Sequence, residues 1–232
     1  MYLSKLKDSI KGQILLNGDS ALVEQKFKMG FGWNANVDID IDIDILALLI
    51  NDNGKLVSDN HLVFYNSELR LKVKDPGWDN ELAQPIEIFH DTLLSDVQSS
   101  SRPTDPEMSV IGSIEYRRCP IPFEEAPDDE TWDIDLSKTH QDVKQIIFCA
   151  NIYNGQYRQQ NFKHVTDFFA RLYYSHHNKL ETEYLYELNH NNHYNTIVEI
   201  CRLFKDKNCW KIAPIGIGHS DISDMLNKYT GF

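Results

Sequence analysis

Between Val37 and Leu46 the chain reads VDIDIDIDIL, setting Asp38, Asp40, Asp42 and Asp44 in strict alternation with isoleucines. A period of two belongs to a β-strand, whose successive side chains leave on opposite faces, and does not fit a helix of 3.6 residues per turn. Carboxylates on one face of such a strand stand about 6.8 Å apart. At that spacing they repel by roughly half a kcal/mol per pair in water. Burying the isoleucines opposite returns roughly 1.5–3 kcal/mol each. The strand therefore forms despite its acidic face, provided a second layer covers the apolar one.

Short runs of the same kind recur at residues 13–16, 21–32, 39–50, 61–66, 131–136, 145–153, 166–174, 180–188, 195–205 and 209–217. Turn chemistry separates them: Asn-Gly at Asn17-Gly18, Asn53-Gly54 and Asn154-Gly155, and Asp206-Lys207-Asn208. Asn53-Gly54 suits a type I′ hairpin turn, in which both central residues need positive φ. Ten short strands with few helical patterns predict an all-β fold, a two-sheet antiparallel, jelly-roll-like sandwich. Residues 157–165 fit one or two helical turns. In HSDISDMLNKYTGF, Ser220 or Asp221 is placed to cap a short helix carrying Ile222, Met225, Leu226 and Tyr229 on one face. The whole chain, 1–232, reads as one domain. The stretch 69–111, with Pro76, Pro85, Pro103 and Pro106, breaks the strand rhythm and reads as an insertion or long loop, with one helical turn around 88–97.

Thirty-five acids against 23 bases give a formal charge of -12. That balance opposes non-specific binding to nucleic acid or anionic membranes, which requires basic patches. No apolar run is long enough to span a bilayer, and the N-terminal residues lack a signal-peptide core. Cys119, Cys149, Cys201 and Cys209 have no zinc-ribbon spacing, and Cys149 and Cys201 sit in apolar runs. A reducing, cytoplasmic compartment is expected.

A second acidic stretch, EEAPDDETWDID, holds Glu124, Glu125, Asp128, Asp129, Glu130, Asp133 and Asp135. Oxygen donors without clustered His or Cys favour Ca²⁺ or Mg²⁺ over zinc or copper. Two aspartates on one straight strand are too far apart to chelate an ion easily, so a cation site needs a bulge or a loop bringing acids from elsewhere, and this stretch offers such a loop. A solvated acidic face is the alternative. HNNHYN, with His190 and His193, reads as a surface turn because no third ligand is evident. Trp33, Trp132 and Trp210 read as core, and Trp78 lies in the insertion.

GFGWNANVDIDIDIDILALLINDNGKLVSDNHLVFYN resembles the first conserved segment of the TerD family, bacterial calcium-binding stress proteins linked to tellurite resistance. The resemblance rests on Gly30, Gly32 and Trp33, on Asp42 and Asp44, on Asn53-Gly54-Lys55 and on Phe64-Tyr65-Asn66. PDDETWDIDLSKTHQDVKQIIFCANIYNGQYRQQNFKHV is similar to the family's second segment through Asp128, Asp129, Glu130, Asp135, Leu136, Ile152, Tyr153, Arg158, Gln160, Asn161, Phe162 and Val165. The resemblance implies a non-enzymatic β-sandwich that binds Ca²⁺ through acidic loops, with Asp42, Asp44, Asp128, Asp129 and Glu130 as side-chain ligands. The chain departs from the pattern at Asn34 and Asn36. RRCPIPFEEAP also replaces the family's glycine-rich loop before Asp-Asp-Glu, which implies a site lost or rebuilt with Glu124 and Glu125. The competing expectation is a metal-independent protein-interaction scaffold that meets its partner through the 69–111 insertion.

Overall fold

The structure is a computed structural model that describes residues 14–15, 19–22, 24–35, 39–73, 82–87, 101–113, 128–176, 179–187 and 192–230. Its strands follow the alternating runs. In chain order they are β1 (Ile14–Leu15), β2 (Ser20–Ala21), β3 (Lys26–Ala35), β4 (Ile43–Ile50), β5 (Leu62–Val63), β6 (Leu69–Val73), β7 (Leu82–Glu87) and β8 (Ser101–Pro103). There follow β9 (Val110–Ile111), β10 (Glu130–Asp135), β11 (Gln145–Ile152), β12 (Val165–His176), β13 (Lys179–Glu187), β14 (Ile197–Asp206) and β15 (Cys209–His219). One helix, α1 (Ile222–Tyr229), comes last.

Two six-stranded sheets carry the fold, ordered β1-β13-β12-β3-β10-β9 and β2-β15-β14-β11-β4-β5. Pairing is antiparallel apart from β1 against β13. The sheets form a sandwich because their inner faces share one apolar cluster. Phe27, Met29, Phe31, Trp132 and Ile134 come from the first sheet, and Ile43, Ile45, Ile146, Phe148 and Ile200 from the second. Phe148 bridges them, with its ring 5.6 Å from Phe31 and 5.9 Å from Trp132. The three tryptophans assigned to the core are partly or wholly buried: Trp132 and Trp210 belong to the cluster and Trp33 packs against it. Cys149 and Cys201 are buried as small apolar residues, whereas Cys209 is exposed.

The acidic alternation ends differently from the sequence reading. Strand geometry begins only at Ile43, leaving 39–42 as irregular chain, and Asp38 lies outside the described residues. Ile43, Ile45, Ala47 and Leu49 face the inter-sheet core, as alternation demands. The other face of β4 continues from Asp44 into Leu46, Leu48 and Ile50, and these are not wet. They pack with Ile147, Cys149 and Ile197 beneath Met225 and Tyr229 of α1. The Asp221 side chain caps α1 by accepting from the Asp224 N–H at 2.7 Å. Lys55 Nζ donates to the Lys228 and Thr230 carbonyls at the far end, at 3.1 and 2.8 Å.

The turn at Asn53-Gly54 is not type I′, since Gly54 alone of the pair has positive φ. Asn51 directs it instead, its side-chain oxygen accepting from the N–H groups of Asn53 and Lys55. The 157–165 segment contributes a short 3-10 turn, Phe162–His164, capped by Asn161.

The insertion is not a plain loop. β6, β7 and β8 form a third sheet, ordered β7-β6-β8. The helical turn expected at 88–97 lies outside the described residues, as do Trp78, Cys119, Glu124, Glu125 and His190. Two buried arginines hold the third sheet in place. Arg70 donates to Ser101 Oγ, the Ser101 carbonyl and the Tyr65 carbonyl. Arg102 donates to the Gly112 and Ile111 carbonyls and pairs with Asp133 on β10 at 2.5 Å. No helix among the described residues is long and apolar enough to cross a membrane.

Candidate functional site

β3 and β10 pair in register from Phe31 opposite Glu130 to Lys26 opposite Asp135, which puts the Asp128–Glu130 turn at one rim of the first sheet. The facing rim of the second sheet holds the start of β4. The two acidic stretches meet there: Glu130 Oε1 accepts from the N–H of Ile45 at 3.0 Å. β5 covers only Ala47 and Leu48 on this edge of β4, so Ile45 finds its acceptor in a side chain from the other sheet. Glu130 Oε2 accepts from the Trp132 indole N–H at 2.8 Å. The Asp129 Oδ2 atom accepts from the Trp33 N–H at 2.9 Å, and the Asp129 N–H donates to Phe31. Both residues thus stitch the rim together.

Asp128 sits apart from this rim chemistry. It is fully buried; Oδ1 accepts from Arg171 Nε and Nη2 at 2.7 and 2.6 Å, and Oδ2 from the Tyr173 hydroxyl at 2.8 Å. Burial pushes its carboxyl up to about 6, against the pull of Arg171 and Tyr173. Only glycine leaves room for it at position 30, where a Cβ would stand 2.1 Å from Oδ2. Of the five acids assigned as ligands, Asp128 is held as the partner of a buried arginine.

Asp42 and Asp44 lie along the strip 40–44, which runs beside the turn that follows β11. Asp44 stands opposite Asn151, and the Tyr153 N–H donates to the Asp42 carbonyl at 2.8 Å. Arg158 and the Gln160 amide nitrogen both donate to the Asp40 carbonyl, at 2.5 and 2.8 Å. Asp44 is buried and Asp42 exposed. Partial burial raises the Asp42 pKa; Arg158 opposes this and Asp40 reinforces it. Gln160 is itself buried, and among the described residues its Oε1 has no hydrogen-bond partner. Described His, Cys, Asp and Glu side chains form no group of three placed to hold a metal ion. An oxygen-lined site on this strip therefore requires the neutral oxygen of Gln160 as well as carboxylates.

Arg171, Tyr173 and Gln160 were not read as site residues from the sequence. Arg171 carried a signal, because a lone arginine inside the strand pattern DFFARLYY requires a buried acid somewhere in the fold. Gln160 carried only its place in the family-like segment. His193, half-buried, uses its carbonyl to accept from the Lys163 N–H in the turn packed on Asn161–His164.

Known proteins resemble this chain in sequence. A model of the TerD domain matches residues 11–74 and 107–229. The stress response protein SCP2 of Bacillus subtilis (strain 168) is 27% identical over 124 residues, covering 52% of this chain and 61% of that protein. The tellurium resistance protein TerD of Alcaligenes sp is 31% identical over 94 residues, covering 40% of this chain and 47% of that one. The chain thus spans about half to three-fifths of these curated relatives. A solved structure of SAV2460, a protein of unknown function, aligns with TM-score 0.48 and 14% identity over 88% of this chain and 97% of that one. A homologue of telluride resistance protein TerD, SCO6318 from Streptomyces coelicolor A3(2), gives 0.47 and 11% over 88% and 95%. With the domain match running through both sheets and the helix, and interrupted only across the insertion, the chain belongs to the TerD domain family.

Proposed function

We propose that this chain is a non-enzymatic, cytoplasmic stress-response protein of the tellurium-resistance type that takes up Ca²⁺ on the 40–44 strip. Asp42 and Asp44 supply carboxylate oxygens and Gln160 Oε1 a neutral one, with Asp129 and Glu130 as the facing wall. The observation that carries this reading is the buried Oε1 of Gln160, unsatisfied beside an acidic strip. A buried acceptor without a donor costs about 1–3 kcal/mol, and a hard cation is the partner that suits both it and the carboxylates. The ion would supply charge neutralisation, tying the strip to the 153–160 turn. Asp128 is outside the ligand set, since its oxygens already serve Arg171 and Tyr173.

Calorimetry of chelator-treated protein with Ca²⁺ tests this. The expected result is saturable heat and a raised Tm, both lost in Asp44→Asn and both retained in Asp128→Asn. Absence of heat at millimolar Ca²⁺ removes the proposal.

A second reading is favoured by a separate observation. Residues between 74 and 107 fall outside the domain match, yet β8 is anchored to the sandwich through Arg102 and Asp133. On this reading the third sheet is an added contact surface for a protein partner, independent of metal. Removing β7 with its flanks, while keeping Ser101 and Arg102, should then abolish co-purification of that partner and leave Ca²⁺ binding unchanged.

A further inference from the structure

A cleft of about 510 Å³ opens between a 3-10 turn, Asp59–His61, that precedes β5 and the root of the third sheet. Its size falls within the range of small-molecule sites, and none of the acids of the rim lines it. Ser58, Asp59, Asn60, Ser67, Glu68 and Thr104 supply its polar wall, over a floor that includes Phe64. Among the described residues, no lysine or arginine lines it.

The hydroxyl protons of this wall are directed inward. Ser67 Oγ donates to the Leu62 carbonyl at 3.1 Å and accepts from the Phe64 N–H at 2.9 Å, so it is held within the turn. Thr104 Oγ1 lies 3.1 Å from the carbonyls of Asp105 and Val110. Ser58 Oγ lies 2.7 Å from His61 Nδ1, and His61 Nε2 lies 3.2 Å from Glu107 Oε2. A carboxylate can only accept, so the imidazole proton resides on Nε2 and Nδ1 accepts from Ser58. His61 is buried, and burial holds its pKa below the usual histidine value despite Glu107, which keeps the ring neutral at physiological pH. The Ser58 hydroxyl thus turns lone pairs, not its proton, toward the cleft.

The wall therefore offers acceptors: the Ser58 lone pairs, the Asp59 and Glu68 carboxylates, and the two-sided amide of Asn60. An anionic ligand would meet carboxylates without a compensating cation. A ligand rich in donors and positively charged meets complementary atoms throughout, and the chain's net charge of -12 draws it in. We propose that this cleft binds a small organic ammonium compound, with Asp59 and Glu68 pairing its charges and Ser58 accepting from one N–H. Buried Thr104 backs the cleft from the insertion side, so the cleft in this form depends on the segment outside the domain match.

The test uses the full chain and spermidine, titrated by calorimetry in chelator-containing buffer, with glucose as the neutral donor-rich arm. Saturable one-to-one binding of spermidine and none of glucose is expected. Asp59→Asn/Glu68→Gln should weaken it by at least about tenfold, the loss expected when two charge-assisted contacts become neutral. Ser58→Ala should weaken it less. Asp52→Asn/Asp142→Asn, a pair of exposed acids with the same charge change, should leave it unaltered. Equal weakening in both double variants would mean that spermidine reads overall charge, and would overturn the proposal. So would stronger binding of glucose, or no spermidine binding in a chain that melts normally.

Discussion

The two acidic stretches share a composition but not a fate. From Asp128 to Asp135 nearly every acid has a dedicated partner: Arg171 and Tyr173 for Asp128, backbone or indole N–H groups for Asp129 and Glu130, and Lys28 with Arg102 for Asp133. From Asp40 to Asp44 the nearby cation is Arg158, which bonds a backbone carbonyl and stands 3.6 Å from the exposed Asp40 carboxylate. The first stretch is a set of internal struts, and the second carries the exposed carboxylates of Asp40 and Asp42. What separates them is the neighbouring strand: β10 lies between β3 and β9, whereas 39–42 precedes β4 and, among the described residues, pairs with no strand.

The comparison is broken most severely at its buried end. Arg171→Ala should destabilise by about 3–5 kcal/mol, the cost of leaving one member of a buried ion pair alone. Gly30→Ala should act on the same strut from the other side, because its Cβ would occupy the place of the Asp128 carboxylate. Both are read as lowered urea midpoints; midpoints within error of the parent would show that Asp128 is not a strut.

Asp133→Ala should cost about 2–3 kcal/mol, since it strips Arg102 and Lys28 of a shared partner. Arg102 and Lys28 together outweigh the effect of burial and hold the Asp133 pKa below its ordinary value. The same variant should expose the third sheet to limited proteolysis before the sandwich itself is cut. Simultaneous loss of both would show that the insertion is not separately anchored.

A third prediction concerns pH. Asp105 closes the turn before β9, accepting from the N–H groups of Ser109 and Val110 and from the Ser109 hydroxyl. Burial nevertheless raises its pKa to about 6 from 3.8. Between those values the folded state holds the proton more tightly than the unfolded chain. This carboxyl therefore adds stability as pH falls from above 6, and loses that contribution as pH rises. The stability of the parent relative to Asp105→Asn should increase on the order of 1 kcal/mol between pH 7 and pH 4.5. A difference that is flat with pH would contradict the assignment.

The smallest effect belongs to the open end. Asp42→Asn should change stability in chelator by no more than about 0.5 kcal/mol, as for exposed positions generally, while diminishing the Ca²⁺-dependent rise in Tm. A large loss without Ca²⁺ would place Asp42 among the struts.

The sandwich was legible because alternation and turn residues are local signals. β10, β11, β14 and β15 begin or end within two residues of the runs read from the sequence, and Asp221 takes the cap expected of Ser220 or Asp221. The roles of the acids were not legible, because they depend on remote partners. Asp128 finds Arg171 43 positions away, and Asp133 finds Arg102 31 positions away. In β4 the limit was different. Alternation correctly divided the two faces, but it could not say that α1 would cover the second, so Leu46, Leu48 and Ile50 broke a pattern that otherwise read acid-out. The third sheet was hidden by Pro85 and Pro103, which sequence reading takes as loop punctuation and which here sit in short strands at or near sheet edges.

The helix that roofs β4 and β11 is encoded after every strand of both sheets. A ribosome therefore releases a nearly complete sandwich whose outer strip of Leu46, Leu48, Ile50 and Ile147 is still bare. Until residues 222–229 emerge, that strip is a sticky surface open to chaperones or to a neighbouring nascent chain. A stop codon just before Ile222 would leave that apolar strip permanently bare while sparing every strand, an invitation to aggregation.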